Sequence, residues 1–266
     1  MKKSLIWLTS ILSVIVVFVI LIFTVFTLKS AEVKFHNNTV LFSAQNAKSD
    51  IIESAKLDFG HTLFFMNKTS YVNNIEKAFP YLEVVNIESV FPSKLVLHLN
   101  EREPVFAVKA ESKYFICDAS LKILQITENF ESTQNNPILI NPLTEVSNNL
   151  VAGDFLEIPE TNALKQISPA MELTNRNIKM QMSLFKTVNV IETVDVDDPL
   201  EQTKFGLEIF AFNSTKAVIT VAEKNLGYKL NMLMALLSEN IDPSMQYFYI
   251  YENLEGEIEA IKKNYN

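Results

Sequence analysis

The sequence predicts an α+β protein with one apolar N-terminal helix, a small mixed domain and a larger β-rich domain. An uncharged run over residues 5–28 predicts the helix. Residues 31–101 follow the order strand, helix, helix, strand, strand. Residues 102–266 form short alternating segments between turn residues, which predicts an antiparallel sheet with flanking helices. A hydrophobic fraction of 48% excludes a disordered chain.

Residues 5–28 read LIWLTSILSVIVVFVILIFTVFTL and contain no charged side chain. A helix of this length spans about 36 Å, and the hydrocarbon core of a bilayer is about 30 Å thick. The run therefore predicts a single transmembrane helix. Lys2 and Lys3 precede it and Lys29 follows, so the positive-inside rule makes residues 1–4 a short cytoplasmic tail. The alternative, a cleavable signal peptide, would have a shorter apolar core.

The small domain has local signals for each of its helices. The segment EVKF predicts its first strand. Ser43 can cap a helix that runs to about Leu57, and Thr69 or Ser70 can cap a second helix that ends at Pro80. These helices are expected to cover one side of a small sheet.

The last two strands of the small domain predict a hairpin around Phe91-Pro92-Ser93. In the second strand, Leu95, Leu97 and Leu99 fall on one face. This two-residue period is typical of a strand with one side on a core.

The triplet Glu101-Arg102-Glu103 and then Pro104 end this strand. They could be a catalytic carboxylate pair, a domain junction or plain surface. Glu101 and Glu103 would lie about 7 Å apart along a strand, but no pocket of supporting groups accompanies them. A catalytic pair is therefore disfavoured, and the residues leave a domain junction or exposed surface open, with Arg102 expected to pair with one of the glutamates.

The β-rich domain predicts two helices between its strands. One covers 159–182 and is interrupted by Pro169, and the other covers Asn225–Glu239 with leucines on one side. The chain then returns to strand in MQYFYIYENLEGEIEAI, which predicts a hairpin that turns near Glu255-Gly256.

Tyr247, Phe248, Tyr249, Ile250 and Tyr251 place four aromatic side chains in five residues. Aromatic side chains bring a large contact area at low entropic cost. A strand late in an open sheet can also accept a partner strand at its edge. We predict that this segment binds a partner, and the alternative is that its aromatics are divided between core and ordinary surface.

Composition excludes several classes of function. The formal net charge is −8 and arginine occurs only twice, which disfavours nucleic acid. Cys117 is the only cysteine, so no intrachain disulfide can form. His36, His61 and His98 lack the spacing of metal ligands. Hydrolase and metalloprotease motifs are missing, so we expect no metal, no cofactor and no enzymatic activity.

Several segments in sequence order resemble the FtsQ/DivIB family of bacterial division proteins. Gly60 precedes TLFFM, a helix ends at Phe79-Pro80, and a strand pair turns at Phe91-Pro92. The strand then ends in Glu101-Arg102-Glu103-Pro104 and is followed by YFICDASLKIL. Leu121 stands where the family commonly has glycine.

The late part of the chain is similar to the family as well. Lys229-Leu230 match a Lys-Leu pair that opens the family's late helix. The family's late strand usually reads like Tyr-Ile-Asp-Leu-Arg, whereas this chain has Ile250-Tyr251-Glu252-Asn253, without that aspartate and arginine.

The resemblance implies a membrane helix, a POTRA domain and a β domain, with Glu101, Arg102 and Pro104 as the junction motif between the last two. It implies a non-enzymatic scaffold of the division machinery, anchored in the cytoplasmic membrane with its bulk outside and concentrated at the septum. Its implied partners are FtsL-like and DivIC/FtsB-like single-pass division proteins, with a septal penicillin-binding protein as a further candidate. The alternative is a POTRA-containing envelope chaperone or secretion-associated binding protein.

Overall fold

The computed structural model divides into two compact units, Met1–Arg102 and Glu103–Asn266. We call them the small unit and the β unit. The predicted cap Ser43 and the predicted helix end Glu239 lie outside the described residues. The structure describes residues 2–37, 41–42, 45–133, 137–172, 185–194, 203–212, 215–220, 224–238, 247–253 and 255–263.

The first helix, α1, covers Lys2–Val25. No helix in the described part of the chain combines the length and apolar character needed to cross a membrane. The predicted transmembrane helix over 5–28 is therefore wrong. Residues 26–28 leave the helix because they belong to the fold of the small unit. Leu28 is 1% exposed, and its N–H donates to the carbonyl of His61 at 2.9 Å.

The small unit has the predicted order of strands and helices, and the α+β class is confirmed. In its sheet, β3 lies between β1, which runs parallel to it, and β2, which runs antiparallel. Its elements after α1 are β1 (Ser30–Phe35), α2 (Gln45–Ser54), a 3₁₀ turn (Leu63–Phe65), α3 (Lys68–Ala78), β2 (Leu82–Val90) and β3 (Lys94–Glu101).

The N-terminus of α3 is capped by a residue that differs from the predicted Thr69 or Ser70. The Asn67 Oδ1 accepts a hydrogen bond from the Ser70 N–H at 3.2 Å, so the helix begins three residues earlier than expected from Ser70. Asparagine and serine are about equally good N-caps, and the choice between them depends on where the preceding turn ends.

The core of the small unit lies between its sheet and the helices α2 and α3. Leu95, Leu97 and Leu99 of the central strand are fully buried. They belong to one cluster with Ile51 of α2 and Ile75 of α3. The predicted apolar face of this strand is therefore the inner face of the sheet.

The β unit contains one nine-stranded sheet and two helices within its described residues. The strand order is β12-β11-β10-β9-β8-β7-β4-β5-β6. The elements are β4 (Phe106–Lys109), β5 (Tyr114–Cys117), β6 (Ile123–Thr127), β7 (Ile138–Asn141), α4 (Thr161–Glu172), β8 (Phe185–Val194), β9 (Thr203–Ala211), β10 (Lys216–Ile219), α5 (Leu226–Ser238), β11 (Tyr247–Glu252) and β12 (Ile258–Lys263).

This sheet is mixed, which corrects the predicted antiparallel sheet. The pairs β4–β7, β7–β8 and β10–β11 are parallel. Parallel neighbours need a long crossover connection, commonly one that contains a helix. Helix α4 lies in the connection from β7 to β8, and α5 lies in the connection from β10 to β11. Alternation of side chains cannot distinguish the two directions of pairing.

Both helices pack on the same face of the sheet. Helix α4 continues past Pro169 to Glu172, so the predicted interruption at that proline is not observed, and 173–182 lie outside the described residues. Helix α5 matches the predicted second helix closely. The residues that bring the helices into the core are Ala163, Leu164, Ile167, Leu226, Leu230, Leu233 and Met234.

Leu121 lies in a left-handed turn between β5 and β6, with φ of 64°. The Asp118 Oδ1 holds this turn because it accepts hydrogen bonds from the N–H groups of Ser120 at 2.8 Å and Lys122 at 2.9 Å. Leu121 is fully buried. Burial of a leucine contributes about 1.5–3 kcal/mol, which offsets the roughly 1–2 kcal/mol cost of the left-handed backbone.

Substitutions at Leu121 test this balance. We expect Leu121→Ala to lower the free energy of unfolding by about 2–5 kcal/mol, because it removes buried methyl groups. Leu121→Gly should be more stable than Leu121→Ala by up to about 1 kcal/mol, because glycine adopts positive φ without strain. Urea unfolding of both variants measures the difference, and the opposite order would contradict the turn's proposed energetics.

Candidate partner-binding surface

Strand β11 contains all five residues of the predicted binding segment, and their side chains alternate between the two faces of the sheet. Phe248 is 3% exposed and Ile250 is fully buried, and both lie in the core beneath α4 and α5. Tyr247, Tyr249 and Tyr251 are half-buried on the opposite face, which we call the outer face. Three of the five side chains are therefore available for contact.

The outer face carries a cluster of aromatic rings around one lysine. The Lys216 Nζ lies 5.4 Å from the ring centroid of Tyr247 and 5.5 Å from that of Phe210. The rings of Tyr249 and Tyr251 are 5.9 Å apart between centroids. Cation–π contacts hold the lysine stem against the rings, so Lys216, Phe210 and Tyr247 form one cluster.

Polar side chains continue from this cluster across neighbouring strands of the outer face. Lys216 pairs with Glu208 at 2.5 Å. The Asn189 side chain donates to Glu208 at 2.7 Å, and Asn141 donates to Asn189 at 2.7 Å. Burial raises the pKa of Glu208, but hydrogen bonds from Lys216 and Asn189 outweigh it, so the net pKa is lowered. Glu208 is therefore ionised at neutral pH.

Strand β11 does not form the edge of the sheet. It pairs with β10 on one side and with β12 on the other. Its main-chain groups are therefore engaged, and direct edge pairing through Tyr247–Tyr251 is excluded. Within the described residues, β12 is the last strand at this end of the sheet, so its outer side is the position where another strand could add.

The hairpin turn fixes which main-chain groups of β12 face this open side. The Gly256 N–H donates to the Asn253 carbonyl at 2.9 Å, and the Asn253 N–H donates to the Glu257 carbonyl at 2.8 Å. Gly256 has a φ of 81°, as in a three-residue hairpin loop with a bulge. The predicted turn near Gly256 is confirmed.

Since hydrogen-bonded pairs alternate along an antiparallel ladder, the pair of Asn253 and Glu257 sets the pattern for the rest of β12. Glu259, Ile261 and Lys263 turn their N–H and C=O groups towards β11. The N–H and C=O groups of Ile258, Ala260 and Lys262 point away from it. These three residues were not identified from the sequence, because edge position depends on the order of strands in the sheet.

Glu259 joins the two strands of the hairpin. The Tyr251 hydroxyl donates to Glu259 Oε2 at 2.5 Å, and the Asn253 amide donates to Glu259 Oε1 at 2.7 Å. These bonds lower the pKa of Glu259, and the Tyr251 bond is the larger cause. The bond to Glu259 also raises the pKa of Tyr251.

Lys229 connects helix α5 to the strands beside the hairpin. It is fully buried, and its Nζ donates to the Thr220 carbonyl at 2.8 Å. The Thr220 N–H in turn donates to the Ile250 carbonyl at 3.0 Å. Helical spacing reveals this burial, since positions 226, 229, 230 and 233 share one face of the helix. The burial of Lys229 was not predicted from the sequence.

Arg102 of the predicted junction motif forms ion pairs with residues remote in sequence. Its Nη2 lies 3.6 Å from Glu76 and 3.8 Å from Glu83. These pairs were missed because the partners come from α3 and β2, whereas the prediction considered only neighbouring glutamates. Pro104 is exposed and begins the β unit with Glu103.

Glu101 has a structural role at the end of β3. Its carboxylate accepts the Leu41 N–H at 3.1 and 3.2 Å. The Asn37 side chain donates to the Glu101 carbonyl at 2.8 Å and accepts the Glu101 N–H at 2.9 Å. The Asn37 amide thus forms the two hydrogen bonds that the main chain of a neighbouring strand would otherwise form with Glu101.

Among the described residues, no group of three acidic, histidine or cysteine side chains could hold a metal ion.

Comparisons with known proteins agree on one family. The family described as POTRA domain, FtsQ-type, matches residues 39–102. The cell division protein DivIB of Clostridium acetobutylicum is 36% identical over 83 residues, which are 31% of this chain and 33% of that protein. The chain is therefore similar to FtsQ/DivIB proteins, through a POTRA domain at residues 39–102 and an aligned stretch of 83 residues.

Other FtsQ/DivIB relatives extend the match. DivIB of Clostridium botulinum strain Hall is 27% identical over 130 residues, 49% of each chain. The chain thus aligns with about a third to a half of the length of these relatives. The solved extracytoplasmic domain of DivIB from Geobacillus stearothermophilus matches 53% of this chain and 98% of that domain, with 9% identity and a TM-score of 0.31.

The Tyr251–Glu259 contact predicts a pH dependence of the hairpin. The pKa of Glu259 is lowered from its ordinary value of 4.5, so its stabilising effect is present above that value and is lost as the pH falls through the lowered pKa. Amide hydrogen exchange in β12 should therefore accelerate, relative to the central strands, as the pH drops below 4.5, after correction for intrinsic rates.

Glu259→Gln provides the matched control for this measurement. Glutamine keeps an acceptor oxygen but does not ionise in this range, so the acid-induced step should disappear. If the variant and the unmodified chain gave the same pH profile, another group would control the hairpin.

Proposed function

We propose that this chain is a non-enzymatic scaffold of the bacterial division machinery, which binds other division proteins during septum formation. The observation that carries the proposal is the open side of β12 beside the aromatic outer face, in a chain similar to FtsQ/DivIB proteins. Scaffold binding of this kind needs a docking surface and no catalytic group.

The partner segment binds to β12 by strand addition. The outward groups of Ile258, Ala260 and Lys262 recur every two residues, about 6.6 Å apart, and offer donors and acceptors to an extended chain. Main-chain bonds give affinity with little dependence on the partner's sequence, so specificity has to come from side chains.

The outer face supplies those side-chain contacts. Ile261 of β12 is 43% exposed and lies directly opposite Tyr249 in the hairpin. The isoleucine therefore extends the aromatic surface of Tyr247, Tyr249 and Tyr251 towards the added strand. Rigid aromatic groups of this kind are enriched at protein contact sites.

The partners that fit this role are FtsL-like and DivIC/FtsB-like single-pass division proteins, and a septal penicillin-binding protein is a further candidate. The proposed location is the division septum, with the β unit on the outer side of the cytoplasmic membrane. Confinement of partners to one small zone raises their effective concentration, so modest affinity at the sheet edge is sufficient.

Ala260→Pro tests strand addition directly. Proline removes the outward N–H of Ala260 while the bonds from β12 to β11 remain, because those belong to the neighbouring residues. Co-purification of FtsL-like and DivIC-like proteins with the full chain should fall about tenfold or more.

Two further variants separate the contributions to binding. Ala260→Ser keeps the N–H and should bind as the unmodified chain does. Tyr249→Ser should weaken binding without changing the main chain of the edge. Retention of partners by a folded Ala260→Pro chain would exclude β12 as the docking strand.

Localisation tests the broader proposal. A fluorescent fusion of the full chain should concentrate at midcell in dividing cells and lose that pattern when the DivIC-like partner is depleted. An even distribution round the cell would instead favour an envelope chaperone.

A further inference from the structure

Strand β2 forms an edge of the sheet in the small unit, with β3 as its neighbour on the inner side. The Arg102 N–H donates to the Tyr81 carbonyl at 2.7 Å, just beyond the paired strands. Because hydrogen-bonded pairs alternate, the N–H and C=O groups of Leu82 and Val84 point to the open side. An edge of this kind normally invites another strand.

Charged side chains form hydrogen bonds with the main-chain groups on this open side. The Arg102 Nε donates to the Leu82 carbonyl at 3.3 Å. Glu76 Oε1 accepts the Val84 N–H at 3.0 Å. Lys68 Nζ donates to the Ile87 carbonyl at 2.7 Å. We call the side chains of Lys68, Glu76 and Arg102 the β2 cap.

The geometry of α3 explains how one helix can supply two of these side chains. Lys68 and Glu76 are eight residues apart, about 12 Å along a helix. Their strand contacts, Ile87 and Val84, are about 10 Å apart along β2. Lys68, at the start of the helix, contacts the later strand residue Ile87, and Glu76, near its end, contacts the earlier residue Val84. Helix α3 therefore runs antiparallel to β2 with its charges in register with the edge.

Partial burial and ion pairing hold the cap in place. The side chains of Arg102 and Glu76 are only 12% and 20% exposed and lie 3.6 Å apart. Arg102 also lies 3.8 Å from Glu83 on β2 itself. The ladder of β2 is interrupted between Val84 and Asn86, and irregular pairing is a second device that discourages strand addition.

We infer that the β2 cap closes this edge of the small unit to strand addition. An extended segment could bind there only after it displaced three charged side chains from main-chain groups. A strand-adding partner is therefore directed away from β2, and a second copy of this chain is prevented from pairing through the same strand. This inference concerns the small unit and does not depend on the proposed role of β12.

Opening the cap should convert β2 into an acceptor for a second copy of the chain. Val85 on β2 is 51% exposed, and Cys117 is fully buried, so Val85→Cys gives one accessible thiol in the full chain. Crosslinking with a short bismaleimide should give little β2-linked dimer. With Lys68→Met and Glu76→Ala added, the dimer yield should rise about fivefold or more, because the Val84 N–H and Ile87 carbonyl become free.

Matched variants keep the test specific. Glu76→Gln retains an oxygen that can accept the Val84 N–H and should give a low dimer yield. Glu88→Gln alters a β2 carboxylate that bonds to His98 at 3.0 Å, and it should also leave the yield low. The single variants Lys68→Met and Glu76→Ala should each give an intermediate yield, and circular dichroism of every variant checks its fold.

A low yield from folded Lys68→Met and Glu76→Ala chains would overturn the inference, as would equal yields from Glu76→Gln and Glu76→Ala. Hydrogen exchange at the Val84 amide gives a second measure. It should accelerate about tenfold or more in Glu76→Ala, because the N–H loses its acceptor, and it should stay near the unmodified rate in Glu76→Gln.

Discussion

Main-chain N–H and C=O groups at the edges of the two sheets need partners, and this requirement shapes both units of the chain. In the small unit, side chains from α3 and the end of β3 take up the groups along β2. In the β unit, the start of β6 is covered, since the Ile123 N–H donates to the Asp154 carbonyl at 2.8 Å. Within the described residues, β12 is the terminal strand at the other end of this sheet. The end of the sheet at β12 is therefore the one at which we propose that a partner strand adds.

Long cationic side chains link helices and strands in both units. Arg102 and Lys68 donate to carbonyls at the β2 edge, and Lys229 donates to a carbonyl at the end of β10. A buried charge is costly unless it is hydrogen-bonded or paired. Each of these contacts therefore restricts the position of a strand relative to its helix, and Lys229 extends that restriction to β11 through Thr220.

Local patterns in the sequence predicted much of this arrangement. The alternation at Leu95, Leu97 and Leu99 identified the inner face of the small sheet, and Gly256 identified the hairpin between the last strands. The predicted membrane helix and the antiparallel sheet were wrong. The pattern over 5–28 extended into residues that the small unit uses in its own fold, and side-chain alternation is the same in parallel and antiparallel strands.

The sequence by itself determined the class of fold, the resemblance to FtsQ/DivIB proteins, the order of helices and strands in the small unit, and the alternation that turns Tyr247, Tyr249 and Tyr251 away from the core. These features depend on residues close together in the chain. Only the tertiary structure decided that β12 forms the edge, that Arg102 pairs with Glu76, and that charged side chains occupy β2. Those contacts join residues far apart in sequence, and their hydrogen bonds form only when folding brings the strands and helices together.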